Sequence, residues 1–277
     1  MALRSSASCL WTGRAPSYYR RIPPASVSDE SARKSRFVAV SASRARLGTG
    51  SKFHADYSIT LLGMPVGKAT FVSSFNGDSF AIDGEMSSAG IANLFARTSG
   101  TAKVEGSIGR NGASPKHFSS QYQSGKKNSV TAIRFSGGKV ASYENTPEPR
   151  KGESWIDVTT SHLAGALDPL SATLIRTQDP AKVCGRTIRF FDGELRGDLS
   201  LAAPSLSDNG TVTCRASFSP VSGYRKGKKQ IEYMRSKSRM SITFAQLGST
   251  GFFAPVSASD GTQIGTVRIA ATKIVAR

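Results

Sequence analysis

The chain has 277 residues with an apolar fraction of 38%, well above that of a disordered protein, so most of it is expected to fold. Its formal net charge is +18, from 37 Lys and Arg against 19 Asp and Glu, so it should attract anions such as acidic lipid headgroups, lipopolysaccharide or nucleic acid. No run of 18 apolar residues occurs, which excludes a transmembrane helix.

The first 52 residues are predicted to form an unstructured basic leader. They contain ten of the 37 Lys and Arg residues and show no hydrophobic period. Arg33, Lys34 and Arg36 precede the short apolar run 37–42, as in a bacterial export signal whose apolar region is truncated. We therefore expect a defective export signal or a start codon assigned too early. An Arg- and Ser-rich transit peptide is the alternative.

From Phe53 onward, apolar residues alternate with polar ones, which is typical of antiparallel strands with one buried face. Turn pairs such as Asn76-Gly77 and Asp192-Gly193 separate successive strands. In chain order the predicted strands cover 57–61, 66–75, 80–84, 100–108, 118–122, 129–135, 139–143, 186–191, 194–201, 211–218, 240–244, 252–256 and 264–274. This many short strands indicates a sandwich, a barrel or a strongly curled sheet.

Two segments interrupt the alternation and are predicted to be short helices. In 89–96, Ile91, Leu94 and Phe95 have the spacing of an amphipathic helix, which we expect to plug the open side of a curved sheet. Asp168 and Pro169 favour a second helix start, as N-cap and first helical residue. The apolar residues expected to share the buried face of this second helix are Leu170, Leu174 and Ile175.

The three cysteines divide between leader and domain. Cys9 lies in the leader, whereas Cys184 and Cys214 lie in strand-like runs of the domain and lack metal-ligand spacing. A disulfide between the latter two would close a loop of about 30 residues and stabilise the fold by roughly 3 kcal/mol. Such a bond would indicate an oxidising compartment. Two buried free thiols are the alternative.

Five short segments recur together in the order of a known family: 57–68, the helical segment at Gly90-Ile91, 168–171, 191–193 and 220–227. This ordered set resembles the bacterial domain-of-unknown-function family 3108, in the form found in alphaproteobacteria such as rhizobia, over about residues 55–275. The resemblance implies an exported envelope protein whose domain, 53–277, is a single curled antiparallel sheet, an open barrel or β-spiral with one or two short helices. It assigns no catalytic residue.

A search for catalytic and metal-binding patterns gives no candidate. His54, His117 and His162 lie far from one another and from any cysteine at metal-ligand spacing. The motifs of serine hydrolases and zinc proteases are absent. Asp192 and Glu194 share a hairpin, but nothing singles them out as a glycosidase pair. We therefore expect no metal, no cofactor and no enzymatic activity.

One basic cluster rises above this background. Arg225, Lys226, Lys228 and Lys229 lie in one predicted loop, preceded by Tyr224. The cluster could bind a phosphate-bearing headgroup such as that of lipid A or another anionic lipid. Alternatively, it is a solvated loop that keeps sheet edges from pairing.

These observations predict a non-catalytic protein of the bacterial periplasm with a binding or structural role. Its expected partner is a hydrophobic or anionic envelope ligand, such as an anionic lipid or lipopolysaccharide, or another envelope protein. A hydrolase acting on envelope glycan or lipid is the first alternative. A basic nucleic-acid-binding protein is the second, although an exported protein is not expected to meet nucleic acid and no recognised binding module is present.

Overall fold

The computed structural model describes residues 50–94, 97–109, 112–237, 239–248 and 250–276. All of them belong to one compact unit. The predicted leader lies outside the described residues except for its last three positions, and so does Cys9. The first strand begins at Ser51, two residues before the predicted start of the domain.

Alternating apolar residues and turn glycines give sixteen strands and one α-helix in the described part of the chain. The first eight strands are β1 (Ser51–Leu61), β2 (Met64–Asn76), β3 (Ser79–Ser88), β4 (Thr98–Gly109), β5 (Gly112–Ser124), β6 (Lys127–Ser136), β7 (Lys139–Thr146) and β8 (Trp155–Ile156). The others are β9 (Ile175–Arg176), β10 (Arg186–Phe191), β11 (Arg196–Leu206), β12 (Val212–Ser222), β13 (Tyr224–Arg225), β14 (Met240–Gln246), β15 (Phe252–Thr262) and β16 (Gly265–Ala276), with helix α1 (Lys229–Ser236) after β13.

Fourteen strands form one antiparallel sheet. The strand order is β10-β11-β12-β14-β15-β16-β1-β2-β3-β4-β5-β6-β7, and β9 pairs with β15 beside this path. The last strand, β16, lies along the first, from Phe53 opposite Ala276 to Leu61 opposite Val267. This pairing joins the two halves of the chain into one sheet.

An irregular segment, residues 163–167, lies between the edge strands β7 and β10 and hydrogen-bonds beside both. The Gly165 amide donates to the Gly138 carbonyl at 3.0 Å, at the start of β7. The Leu167 amide donates to the Arg189 carbonyl of β10 at 2.9 Å. The sheet therefore curls until this seam segment bridges its edges, and strand pairing does not close it into a barrel. The predicted single curled antiparallel sheet is confirmed.

The main buried cluster lies inside this curl, since it draws side chains from strands at both ends of the strand order. Its members are Phe53, Phe75, Phe80, Ile82, Val104, Ile108, Phe118, Ile133, Val140, Leu163, Ala166, Leu170, Phe191, Leu247, Phe252 and Ile274. The rings of Phe75 and Phe252 stack with centroids 4.6 Å apart, and Tyr143 of β7 meets Phe191 of β10 edge to face at 4.9 Å. Apolar packing thus reinforces the bridged seam.

A second buried cluster packs residues 175–184 against β11, β12, β14 and β15. Cys184 and Cys214 are both buried in it and are joined by a disulfide, with their Cα atoms 5.7 Å apart. The bond is consistent with the expected pairing. It ties the long connection between β9 and β10 to β12, the third strand from one edge of the sheet.

The first predicted helix is wrong in both form and role. Gly90–Leu94 is a 3₁₀ turn without a buried residue, and Ile91 and Leu94 are exposed, so it does not plug the sheet. The Ala89 amide donates to the Val66 carbonyl at 3.0 Å, which holds the turn against the first residues of β2. Phe95 lies outside the described residues.

The second predicted helix is reduced to a single 3₁₀ turn, Ser171–Thr173. The N-cap is Leu170 and not the predicted Asp168, although the Oδ1 of Asp168 accepts hydrogen bonds from the amides of Leu170 (3.0 Å) and Ser171 (2.9 Å) just before the turn. The prediction of one shared buried face is wrong. Leu170 enters the main cluster, whereas Ile175 belongs to β9 and enters the second cluster.

Replacement of Phe75 tests the buried face of β2. Phe75→Ala should lower the free energy of unfolding by about 3–5 kcal/mol, because the ring is 2% exposed and stacked on Phe252. Val72, on the same strand, is 40% exposed, so Val72→Ala should cost less than about 1 kcal/mol. Urea unfolding measures both variants, and equal losses would contradict the assigned faces.

Candidate anion-binding site

The predicted basic cluster follows β12 and is held by the connection that leaves β7. Tyr224 and Arg225 of β13 pair antiparallel with Ile156 and Trp155 of β8. The Gly223 amide donates to the Ile156 carbonyl at 2.7 Å. Two segments far apart in sequence therefore meet beside the bridged edges of the sheet.

Gly223 fixes the basic segment against the β10–β11 hairpin. Its φ is +77°, and a Cβ built at this position would lie 1.6 Å from the Glu194 carbonyl oxygen. Only glycine permits both this backbone conformation and this approach. The hairpin turn at 192–195 is thereby brought against the start of the basic segment.

The cations of the cluster are exposed and repel one another. Arg225, Lys226, Lys228 and Lys229 are all exposed. Within the described residues none of the four forms an ion pair, whereas Arg235 of the same segment pairs with Glu232. Lys228 and Lys229 also stand at the N-terminal end of α1, where the helix dipole disfavours positive charge. A bound anion would relieve both repulsions.

A cavity of about 580 Å³, here called the basic cavity, lies between this segment, the connection after β7 and the β10–β11 hairpin. The structure brings three of the four predicted cations, Arg225, Lys226 and Lys228, to its wall. Lys229 does not line it. Arg150 adds a fourth cation from the connection after β7.

The wall of the basic cavity also carries two aromatic rings. Trp155 of β8 and Tyr224 of β13 lie half-buried on adjacent strands. Flat aromatic surfaces beside cations can contact the apolar or ring portion of an amphiphilic ligand while the cations hold its anionic group. The cavity is therefore suited to an anion that carries an apolar or ring-shaped part.

Two carboxyl groups complete the wall. Burial raises the pKa of Asp192, although its Oδ1 accepts hydrogen bonds from the amides of Glu194 (2.9 Å) and Leu195 (2.7 Å). The pKa of Glu194 is raised by burial and by the charge of Asp192, and the nearby Lys228 opposes the shift. Both groups therefore take up protons more readily than free carboxyls do.

The core face of β2–β6 continues beyond the main cluster as an open cleft of about 600 Å³. Met86, Gly100 and Tyr122 line it, each four residues along its strand from a core residue and on the same face. Met86 and Tyr122 are both partly exposed. Lys68 and Glu85 also border the cleft, but the alternation along β2 and β3 puts their side chains on the face opposite Met86.

The other residues considered in the sequence are placed away from such sites. His54 contacts Asp56 at 3.1 Å, and the Nδ1 of His162 accepts a hydrogen bond from the Thr159 amide at 3.2 Å. Among the described residues, no three potential metal ligands come together. None of the helices in the described ranges is long and apolar enough to cross a bilayer.

No sequence pattern predicted helix α1 or singled out Arg150 and Trp155. Helix α1 begins at Lys229, the last cation of the predicted basic loop. No local pattern links Trp155 to Tyr224, since their contact depends on pairing between β8 and β13. The one available signal was composition, because Arg150 and Trp155 lie close together in the connection after β7.

The fold and the site define a curled antiparallel β protein with a basic cavity beside the bridged edges of its sheet. The family model described as "Protein of unknown function (DUF3108)" matches residues 56–271, and the chain belongs to this family. The resemblance inferred from the ordered segments is confirmed in this respect.

The solved structures that match the chain include the crystal structure of a beta-barrel-like protein of domain of unknown function DUF1849 from Brucella abortus. The similarity has a TM-score of 0.41 and 9% sequence identity, over 82% of this chain and 97% of the other. No curated protein matches the chain.

The two carboxyls predict a pH-dependent affinity. Because their pKa values are raised above the ordinary range near 4, affinity for octyl sulfate, whose charge is constant, should increase as the pH falls from 7 towards about 4. Calorimetric titration across this range measures the effect. In the double variant Asp192→Asn, Glu194→Gln the increase should disappear, and its persistence would exclude these groups. Asn at 192 retains the Oδ1 acceptor of the turn.

Proposed function

We propose that this chain is a non-catalytic periplasmic protein of the bacterial envelope that binds an anionic, lipid-like ligand in the basic cavity. Four cations and two aromatic rings on one cavity wall support this proposal most directly. The anionic group would contact Arg225, Lys226 and Lys228, and the apolar part would lie against Trp155 and Tyr224.

Charge and position together favour ligand binding over a merely solvated loop. A solvated loop needs no fixed geometry, yet this segment is held by β8–β13 pairing and by Gly223. Its cations line a concave surface. A backbone that is already held in place loses less conformational entropy on binding than a mobile loop does, so the arrangement favours binding of an anion.

The periplasmic location is supported by the buried disulfide and by the residual export-like run 37–42. Fractionation of the cells that naturally make the protein should recover its mature form with the periplasmic proteins, oxidised at Cys184 and Cys214. Intact mass spectrometry of that fraction would give the mature N-terminus and the state of both thiols. Recovery of a reduced protein in the cytoplasm would contradict this location.

The arrangement of Asp192 and Glu194 favours a second candidate function, a hydrolase acting on envelope glycan or lipid. Both carboxyls line the basic cavity, and both have raised pKa values, as a general acid requires. A hydrolase would release product from glycan or lipid substrates and would lose activity in Glu194→Gln. Nucleic-acid binding is a third hypothesis. A steep fall of the affinity for duplex or single strands with rising salt concentration would support it.

Reversal of two cavity charges tests the binding proposal. Lys226→Glu together with Lys228→Glu should weaken octyl sulfate binding at least tenfold, since both cations line the cavity. The matched control is Lys237→Glu with Arg239→Glu, which changes the net charge equally at exposed positions that do not line the cavity. Fluorescence of Trp155 can follow the titration.

Only the cavity variant should lose affinity. Equal losses in both variants would indicate general charge attraction without a defined site. Unchanged binding in the cavity variant would overturn the proposed site.

A further inference from the structure

Three neighbouring turns at one end of the sheet carry large exposed apolar side chains. The β1–β2 turn presents Leu62 (62% exposed) and Met64, the β3–β4 connection presents Ile91 and Leu94 (82%), and the β15–β16 turn presents Ile264 (70%). We call these five residues the apolar rim. Strand polarity places all three turns at the same end, because β1, β3 and β15 each end there.

The three turns touch one another and form a continuous surface. The Leu62 amide donates to the Thr266 carbonyl at 3.0 Å, and the Leu62 side chain covers Gly265, beside Ile264. On the other side, Gly90 approaches Pro65 so closely that a Cβ there would lie 2.4 Å from the Pro65 carbonyl oxygen. The apolar rim is therefore one patch, since both of its outer turns pack on the β1–β2 turn.

Leu62 occupies a backbone conformation that disfavours it. Its φ is +52°, and it is the one non-glycine residue with a positive φ in the described part of the chain. Leu62 and Gly63 form a two-residue hairpin turn with both φ values positive, where Asn-Gly is the favoured pair. A branched apolar side chain is thus held in solvent at a conformational cost, which the fold alone does not require.

Basic residues lie beside the apolar rim, and the three turns that carry the rim contain no acidic residue. The Gly125 amide donates to the Arg97 carbonyl at 3.1 Å, which places the β5–β6 turn, with Lys126 and Lys127, next to the β3–β4 connection. All three basic residues are exposed. Residues 62–66, 89–97, 124–128 and 263–266 contain no Asp or Glu. The charge of this end therefore complements an anionic surface.

We propose that the apolar rim docks the protein on the surface of an anionic lipid bilayer. Leu62, Leu94 and Ile264 would enter the interface between headgroups and acyl chains, while Arg97, Lys126 and Lys127 contact the headgroups. Aliphatic side chains on separate turn tips can enter a fluid interface side by side without a partner surface of matching shape. The open cleft, lined by Met86 and Tyr122 just before two of the flanking turns, faces the same end.

The inference does not rest on the basic cavity, whose residues lie on other segments. Vesicles containing one third phosphatidylglycerol in phosphatidylcholine provide the probe, and co-sedimentation of the full chain measures partitioning. The triple variant Leu62→Asn, Leu94→Ser, Ile264→Ser should partition at least tenfold more weakly, because three inserting side chains are lost. Its octyl sulfate affinity should be unchanged.

Two further variants separate docking from folding. Leu62→Asn alone should weaken partitioning and raise the midpoint of thermal unfolding, since Asn tolerates the positive φ of this turn. Leu206→Ser, which removes a Leu of 59% exposure from the opposite end of the sheet, should leave partitioning unchanged.

Three outcomes would overturn the docking proposal. One is full binding by the triple variant, and another is equal loss in the Leu206→Ser control. The third is self-association of the wild-type chain in sedimentation that the triple variant abolishes without an effect on vesicles, which would identify the rim as a contact between copies. If the cavity variant Lys226→Glu, Lys228→Glu keeps vesicle binding but loses octyl sulfate, the two sites are independent.

Discussion

The two edge strands of the sheet, β7 and β10, do not pair with each other. Residues 163–167 supply hydrogen-bond partners for some of their backbone groups. β7 and β10 both run in the same direction, so the alternating antiparallel pattern cannot continue across them. Leu167 accepts from the Phe191 amide at 2.8 Å and donates to Arg189 at 2.9 Å. Unpaired edges expose backbone groups that favour aggregation, and residues 163–167 cover the start of β7 and the end of β10.

The seam also determines where a ligand site can form. Because β7 and β10 end side by side, the connection after β7 and the β10–β11 hairpin emerge together. Asn145 of β7 donates from its side-chain amide to the Gly193 carbonyl at 2.7 Å, which links the two directly. The basic segment after β12 then packs against both through Gly223 and β13. The basic cavity forms where these three segments meet, beyond the ends of the paired strands.

Local signals in the sequence predict the strands and turns well, because alternation and turn residues such as Asn76-Gly77 act within a few positions. They did not predict that β16 pairs with β1, since these strands are separated by nearly the whole domain. They also misassigned Ile91 and Leu94, whose apolar character was read as burial. Apolar spacing identifies a hydrophobic surface, but it does not tell whether protein or another phase covers it.

The central structural claim is that residues 163–167 bridge the two sheet edges, and amide hydrogen exchange tests it most directly. The Leu167 and Phe191 amides, bonded across the seam, should exchange as slowly as the amide of Ile133 in the buried centre of β6. The amide of Lys126, an exposed residue in the turn between β5 and β6, should exchange many times faster. Fast exchange at Leu167 and Phe191, while Ile133 remains protected, would show that the edges are not bridged and would contradict this account.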